Sequence, residues 1–129
     1  MTSPSKNPVN WFEIYVDDIE RAKKFYAEVL QISFQDAETP HGKMAFFPFS
    51  EDCNAPNACG ALYQMTHFVR AGGNSVLVYF QCDDCQVEQD RVEAAGGKVL
   101  FPKMDIGEHG FCACCEDSEG NSFGLHSMK

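Results

Sequence analysis

The chain has 129 residues, of which 44% are hydrophobic and 22% charged, values typical of one ordinary globular domain. Its formal net charge of −9 argues against nucleic acid and anionic membranes as partners, because both are bound through clustered Lys and Arg. No apolar run reaches the ~20 residues of a membrane span, and residues 1–10 lack the apolar segment of a signal peptide. We therefore expect a cytoplasmic protein.

The first half of the chain predicts a strand, a helix and then further strands. Residues 1–9 form a loose polar lead-in, and the alternating segment WFEIYV (11–16) predicts a strand. Asp17 and Asp18 follow it, and either can cap a helix by accepting hydrogen bonds from its free N–H groups. The β-rich stretch behind the helix has strands near Phe34 and at 43–49 and 59–65. Apolar residues at helical spacing predict the buried helix face: Ile19, Ala22, Phe25, Tyr26, Val29 and Leu30.

The second half repeats this order after a glycine-containing link at 68–75. A strand at 77–82 is followed by Asp83 and Asp84 and by a helix predicted over Gln86–Ala95, which Gly96 and Gly97 end. Further strands are predicted around KVLFPK, around EHGFCACC and, after the DSEGN turn, at SFGLHS. The two Asp-Asp pairs lie 66 positions apart, each between an apolar strand and an amphipathic helix. The pattern therefore predicts two copies of one β-α-β-β-β module, at about 8–68 and 74–128 of a single domain 1–129.

Seven cysteines, an odd number, predict reduced thiols packed as small apolar residues rather than a disulfide framework. The pair Cys82 and Cys85 lies between a strand and a helix, the arrangement of thioredoxin-like redox sites. Because Cys82 continues the buried alternation of its strand and two aspartates separate the pair, we favour buried, unreactive thiols. Redox activity stays an alternative, as does a four-thiolate zinc site with Cys112 and Cys114.

Three segments of the chain resemble a known family. WFEIYVDDIERAKKFYAEVL resembles the opening of the glyoxalase, bleomycin-resistance and extradiol-dioxygenase group, the vicinal oxygen chelate superfamily. VEAAGGKVLFPK and EDSEGNSFGLHS resemble its second module, so the resemblance runs from about Asn7 to Met128. It implies an α+β fold in which two βαβββ modules form an open, U-shaped cleft, and it implies a homodimer.

The resemblance also implies a metal site, which this sequence lacks. The positions that carry the family's His and Glu ligands correspond to Trp11, Ala61, Leu77 and Gly124, and none of these side chains can ligate a metal. We therefore expect no metal at these positions and no cofactor. A divalent ion bound at a shifted site, by Glu13 and His126, is an alternative, although two protein ligands are few for a transition metal.

A polar ring is predicted one step along the same strands. Residues two apart on a strand share a face, so the face that carries Trp11 also carries Glu13, Tyr63, Tyr79 and His126. We predict that these five residues bind a small ligand, which the acidic charge and the aromatic side chains suit to be cationic or aromatic. Glu13 and His126 are the candidate acid and base if the protein is an enzyme. Hydrogen-bonded structure without a ligand is the simpler explanation for such residues.

Three classes of function remain open. The first is a metal-free protein that binds a small molecule, like the bleomycin-resistance members of the family. The second is a lyase or isomerase of the glyoxalase type, either metal-independent or with the shifted metal site. The third is a regulatory or interaction module without a ligand. His41 and His109 are most simply exposed loop residues, although Glu108 and His109 could form part of a lid over the cleft.

Overall fold

The computed structural model describes residues 5–52, 54–65 and 76–129. Within them the chain forms eight strands and two α-helices in the order β-α-β-β-β, twice, which confirms the predicted α+β class. The link at 68–75, Cys53 and the boundary between the predicted modules lie outside the described residues. Contacts between Cα atoms divide the chain into two compact units: Trp11–Val76, and the residues up to Asn10 together with Leu77–Lys129.

The first module comprises β1 (Val9–Tyr15), α1 (Ile19–Leu30), β2 (Gln35–Thr39), β3 (Gly42–Phe46) and β4 (Cys59–Met65). Its strands lie in the order β2-β3-β4-β1; β1 and β4 are parallel and the other neighbours are antiparallel. The helix begins at Ile19 because Asp18 is its N-cap and accepts a hydrogen bond from the Arg21 N–H at 3.1 Å. A buried cluster of Ile19, Ala45 and Leu62 joins this helix to one face of the strands.

The buried face of α1 is narrower than predicted. Ile19, Ala22 and Tyr26 pack against the strands, whereas Phe25, Val29 and Leu30 are 58%, 60% and 52% exposed. The helix rests mainly on β3 and β4, and only one stripe of its surface meets their apolar side chains. The prediction that the latter three residues belong to the core is therefore wrong for this unit.

The second module comprises β5 (Val76–Gln81), α2 (Cys85–Val92), β6 (Lys98–Asp105), a 3₁₀ turn (Gly107–His109), β7 (Phe111–Glu116) and β8 (Ser122–Ser127). Its strands lie in the order β5-β8-β7-β6, with β5 and β8 parallel. The helix is shorter than predicted, because it gives way at Glu93 to a turn that reaches Gly96 at φ +102°. The N–H of Gly97 donates to the carbonyl of Val92 at 3.0 Å and closes this end.

Both helices start at equivalent places in the repeat. The N-caps Asp18 and Asp84 lie 66 positions apart, and so do the first helical residues, Ile19 and Cys85. The N–H of Val16 donates to the carbonyl of Tyr63 at 3.0 Å, and the N–H of Cys82 donates to the carbonyl of His126 at 2.7 Å. Tyr63 of β4 and His126 of β8 therefore occupy equivalent positions in the repeat.

The amino-terminal segment differs from the loose lead-in that we predicted. The N–H of Gln81 donates to the carbonyl of Pro8 at 2.9 Å, and the ammonium of Lys6 donates to the carbonyl of Gln81 at 3.1 Å. The segment ending at Asn10 thus belongs to the compact unit that holds the second module. The backbone of Gln81 in β5 holds the segment in place, and the polar composition of the segment does not predict this attachment.

Candidate functional site

Glu13 is a buried carboxylate on the face of the first module opposite α1, which we call the helix-free face. Its strand neighbour Ile14 points to the α1 cluster, so alternation turns Glu13 the other way. The side chain is only 7% exposed. Its oxygens accept hydrogen bonds from the indole N–H of Trp11 at 3.0 Å and from the hydroxyl of Tyr15 at 2.8 Å. These charge-assisted bonds offset the desolvation of the carboxylate.

Tyr63 lies on the same helix-free face. Its ring centroid is 6.3 Å from that of Tyr15, and its hydroxyl lies 2.6 Å from the hydroxyl of Thr39. Burial raises the pKa of Tyr63 above its usual value, so the phenol keeps its proton at neutral pH. Trp11 and Glu13 are thus hydrogen-bonded to each other, and Tyr63 lies on the same face through its ring contact with Tyr15.

Tyr79 covers Gly124 on the corresponding face of the second module. The two residues are opposite each other in the parallel register of β5 and β8. A Cβ atom added to Gly124 would lie 2.3 Å from the ring of Tyr79, and that ring is itself only 8% exposed. The absence of a side chain at position 124 thus lets an aromatic ring lie directly on the strand.

His126 uses both ring nitrogens in hydrogen bonds. Nε2 lies 2.6 Å from the carbonyl oxygen of His109, which can only accept, so Nε2 carries the proton. Nδ1 then accepts from the side-chain amide of Asn10 at 3.3 Å. In this arrangement the imidazole fastens the 3₁₀ turn and the amino-terminal segment to β8, and it has no free nitrogen with which to take a proton from a substrate.

A cavity of about 310 Å³ lies beside His126, where the parallel strands β5 and β8 end. His126 is the predicted site residue that lines it. The other lining residues are Gln81, Cys82, Asp83, Ser127, Met128 and Lys129.

Sequence reasoning missed three partners of the predicted residues. Tyr15 stands two positions after Glu13, so strand alternation alone was a sufficient signal for it. Thr39 and Asn10 carried no such signal, because they reach Tyr63 and His126 across 24 and 116 residues of sequence. His41 lies in the exposed turn after β2, where its backbone N–H donates to the Thr39 hydroxyl at 3.1 Å. His109 and Glu108 are exposed and lie 3.8 Å apart.

The residues present do not fit the family's metal. Ala61 is fully buried, Leu77 is 3% exposed, and a longer side chain at Gly124 would collide with Tyr79. Trp11 offers only an N–H donor, and Glu13 already holds it. Among residues 5–52, 54–65 and 76–129 no three His, Cys, Asp or Glu side chains form a group that could hold a metal ion.

The Cys82–Cys85 pair is part of the apolar core of the second module. Cys82 is 7% exposed and Cys85 fully buried, in one cluster with Ala113, Cys115 and Leu125. Burial, together with the nearby charge of Glu88, raises the pKa of Cys82 to about 11, so its thiolate is scarce at neutral pH. The six cysteines that the structure describes form no disulfide bond with one another.

Comparison with known proteins identifies the family. Residues 9–125 match the model of the Glyoxalase/Bleomycin resistance protein/Dioxygenase superfamily. The chain belongs to this superfamily, and the predicted resemblance is confirmed. It is also 28% identical over 117 residues to "Putative glyoxylase CFP32" of Mycobacterium bovis and of Mycobacterium tuberculosis. That match covers 90% of this chain but 44% of each relative, so the chain spans less than half the length of the curated relatives it matches.

Solved structures share the fold. A hypothetical protein, BH1468 of Bacillus halodurans, is similar with a TM-score of 0.72 and 14% identity over 94% of both chains. A variant of methylmalonyl-CoA epimerase from Streptomyces coelicolor, in complex with 2-nitronate-propionyl-CoA, has a TM-score of 0.69 and 15% identity over 95% of this chain and 98% of its own. Identities this low establish the architecture alone. No helix within the described residues is long and apolar enough to span a membrane.

Proposed function

We propose that this protein binds a small organic molecule and that it does so without a metal at the family's usual positions. The observation that carries the proposal is the cavity of about 310 Å³ beside His126, a volume at the lower end of those that hold small ligands. Trp11, Ala61, Leu77 and Gly124 carry no metal-ligating side chain, which supports the proposal that no metal binds at these positions.

The ligand is proposed to be cationic or aromatic. The strands β1, β4, β5 and β8 contain no Lys or Arg, and the chain as a whole carries a net charge of −9. Anionic ligands such as phosphate esters would meet no fixed positive charge on these strands. Trp11, Glu13, Tyr63 and Tyr79 remain candidates for contact with the ligand, although each of the last three is less than a tenth exposed and so a ligand would have to displace their neighbours.

A second candidate is an enzyme of the glyoxalase type. It is favoured by the fold shared with methylmalonyl-CoA epimerase and by the buried carboxylate of Glu13. Such an enzyme would be metal-independent or would use a shifted metal site at Glu13 and His126. Glu13 and His126 already make hydrogen bonds within the protein. These bonds weigh against acid–base catalysis and against metal binding by the two residues, because the bonds would have to be broken first.

A thermal-shift screen separates these functions. The panel contains benzylammonium, benzoate, propionyl-CoA and the divalent ions of zinc, nickel and manganese; a ligand that binds only the folded protein raises the melting temperature. We expect benzylammonium to stabilise the protein and the others to have little effect. Stabilisation by propionyl-CoA or by one stoichiometric ion would favour the enzyme, and no response to any compound would favour a ligand-free module.

Replacing His126 tests the location of the site. His126→Ala should weaken binding of benzylammonium by about tenfold, equivalent to 1.4 kcal/mol, because it removes a wall of the cavity. His41→Ala, in the exposed turn after β2, is the matched control and should leave the affinity unchanged. Equal affinities for both variants would contradict the proposed site.

The proposal includes a homodimer in a reducing, cytoplasmic compartment. The odd total of seven cysteines supports the compartment, because disulfide frameworks are typical of oxidising surroundings and use cysteines in pairs. Light scattering on the purified protein measures its mass directly, and a value equal to that of one chain would contradict the dimer.

A further inference from the structure

The cavity beside His126 has a structural origin that comparison of the two modules makes visible. In the first module the N–H of Ile19, the first residue of α1, donates to the side-chain carbonyl of Gln64 at 2.8 Å. In the second module the N–H of Cys85, the first residue of α2, donates to the hydroxyl of Ser127 at 3.0 Å. Gln64 and Ser127 follow the aligned residues Tyr63 and His126, so they occupy equivalent positions.

The same backbone donor is therefore satisfied by side chains of very different length. Gln64 reaches its helix with a long side chain, whereas Ser127 does so with a single hydroxyl that also donates to the carbonyl of Lys129 at 2.7 Å. Ser127 is 1% exposed and lines the cavity from below. The short side chain meets the capping requirement of α2 with fewer atoms than the glutamine of the first module uses.

The lining of this cavity carries one carboxylate and one ammonium, those of Asp83 and Lys129. Asp84, the N-cap, is already paired with the ammonium of Lys103 at 2.9 Å. This hydrogen bond, the backbone N–H of Gln86 and the charge of Lys129 hold the pKa of Asp84 below its usual value. Its neighbour Asp83, which lines the cavity, makes no ion pair with any cation in the described parts of the chain. Glu88 adds a second negative charge close behind Cys82.

The remaining lining is soft and uncharged. Cys82 presents a protonated thiol, Met128 a thioether, and His126 a ring whose nitrogens both make hydrogen bonds. Such walls favour a compact apolar body, and the carboxylate of Asp83 at the rim favours a positive charge on it. Lys129 also lines the cavity, and its ammonium is one of the positive charges that lower the pKa of Asp84.

We propose that the cavity at the ends of β5 and β8 binds a compact organic cation, and that serine at position 127, where the first module has glutamine, keeps this site open. The inference rests on the proposed small-molecule function and names its site and ligand class. It assigns Ser127 the role of a specificity-determining residue and Asp83 that of the counter-charge.

The test compares reciprocal substitutions in the two modules. Affinity for benzylammonium, and for benzoate as its anionic counterpart, is measured by ligand titration with NMR detection. Ser127→Gln should weaken benzylammonium binding by about tenfold or more, because glutamine fills the cavity while it still accepts from the Cys85 N–H. Gln64→Ser, the reverse change in the first module, should leave this affinity unchanged. Asp83→Asn should weaken binding by about two- to fivefold, the range of an exposed charge pair.

A second variant guards against misfolding, because Ser127 is buried. Gln81→Trp places a large ring at the exposed rim of the cavity and should block the probe to a similar degree. If Ser127→Gln and Gln81→Trp both retain the original affinity, the site is wrong. If benzoate binds as tightly as benzylammonium, the ligand class is wrong while small-molecule binding stands. If neither probe binds, the proposed function falls together with this inference.

Discussion

Replacing Gly124 by alanine would place a methyl carbon where the ring of Tyr79 now lies. The added Cβ would be 2.3, 2.5 and 2.7 Å from three atoms of that ring, far inside van der Waals contact. The ring is 8% exposed, so it has little room to move aside without disturbing other buried groups. Overpacking of this kind costs about 2 kcal/mol, and for a domain of this size the melting temperature should fall by about 6 °C.

A double-mutant cycle in urea gives this prediction its control. In a Tyr79→Val background the ring is gone, so Gly124→Ala should cost little or even fill part of the space that the ring leaves. The coupling free energy between the two sites should then exceed about 1 kcal/mol. An equal cost of Gly124→Ala in both backgrounds would refute the steric explanation and with it our reason why a longer metal-ligating side chain does not fit at this position.

Three further predictions concern single residues. Glu13→Gln should lower the free energy of unfolding by about 1.5–3 kcal/mol in urea titration. Trp11 and Tyr15 donate to different oxygens of the carboxylate, and glutamine replaces one of these oxygens by an NH2 group that cannot accept; unchanged stability would show that these bonds contribute nothing. Iodoacetamide at pH 7.5 should label the exposed Cys59 well before the buried Cys82, as read by mass spectrometry; equal labelling would restore the redox alternative. Backbone N–H groups hold the pKa of Asp117 below its usual value, so the stability gap between the wild type and Asp117→Ala should be full at neutral pH and should close as the pH falls below about 4; a gap independent of pH would contradict this.

Local patterns sufficed for the repeat and for the helix starts. An Asp pair after an apolar strand predicts a capped helix without knowledge of the rest of the fold, and both helices begin directly after Asp18 and Asp84. Strand alternation also placed Glu13 and Tyr63 on the face opposite α1, because that alternation is a property of the backbone itself.

The patterns failed where the outcome depends on what an element meets. Helical periodicity identified the apolar surface of α1, but it could not show that the strands cover only part of that surface and leave Phe25, Val29 and Leu30 exposed. The hydrogen bonds of His126 could not be foreseen either. Its partners are a backbone carbonyl, which every residue possesses, and an amide 116 positions away. His126, which the sequence suggested as a general base, therefore has a structural role in the folded chain.

The attachment of the amino-terminal segment determines how the chain can be divided. Two copies of a module suggest that a cut in the link between them would release two self-sufficient halves. A fragment beginning at Val76 would instead lack the Pro8 carbonyl that receives the Gln81 N–H and the Asn10 amide that meets His126. Fragment complementation should therefore succeed only if the residues before Trp11 accompany the second module. A circular permutant that opens the chain after Asn10 keeps these hydrogen bonds within one segment.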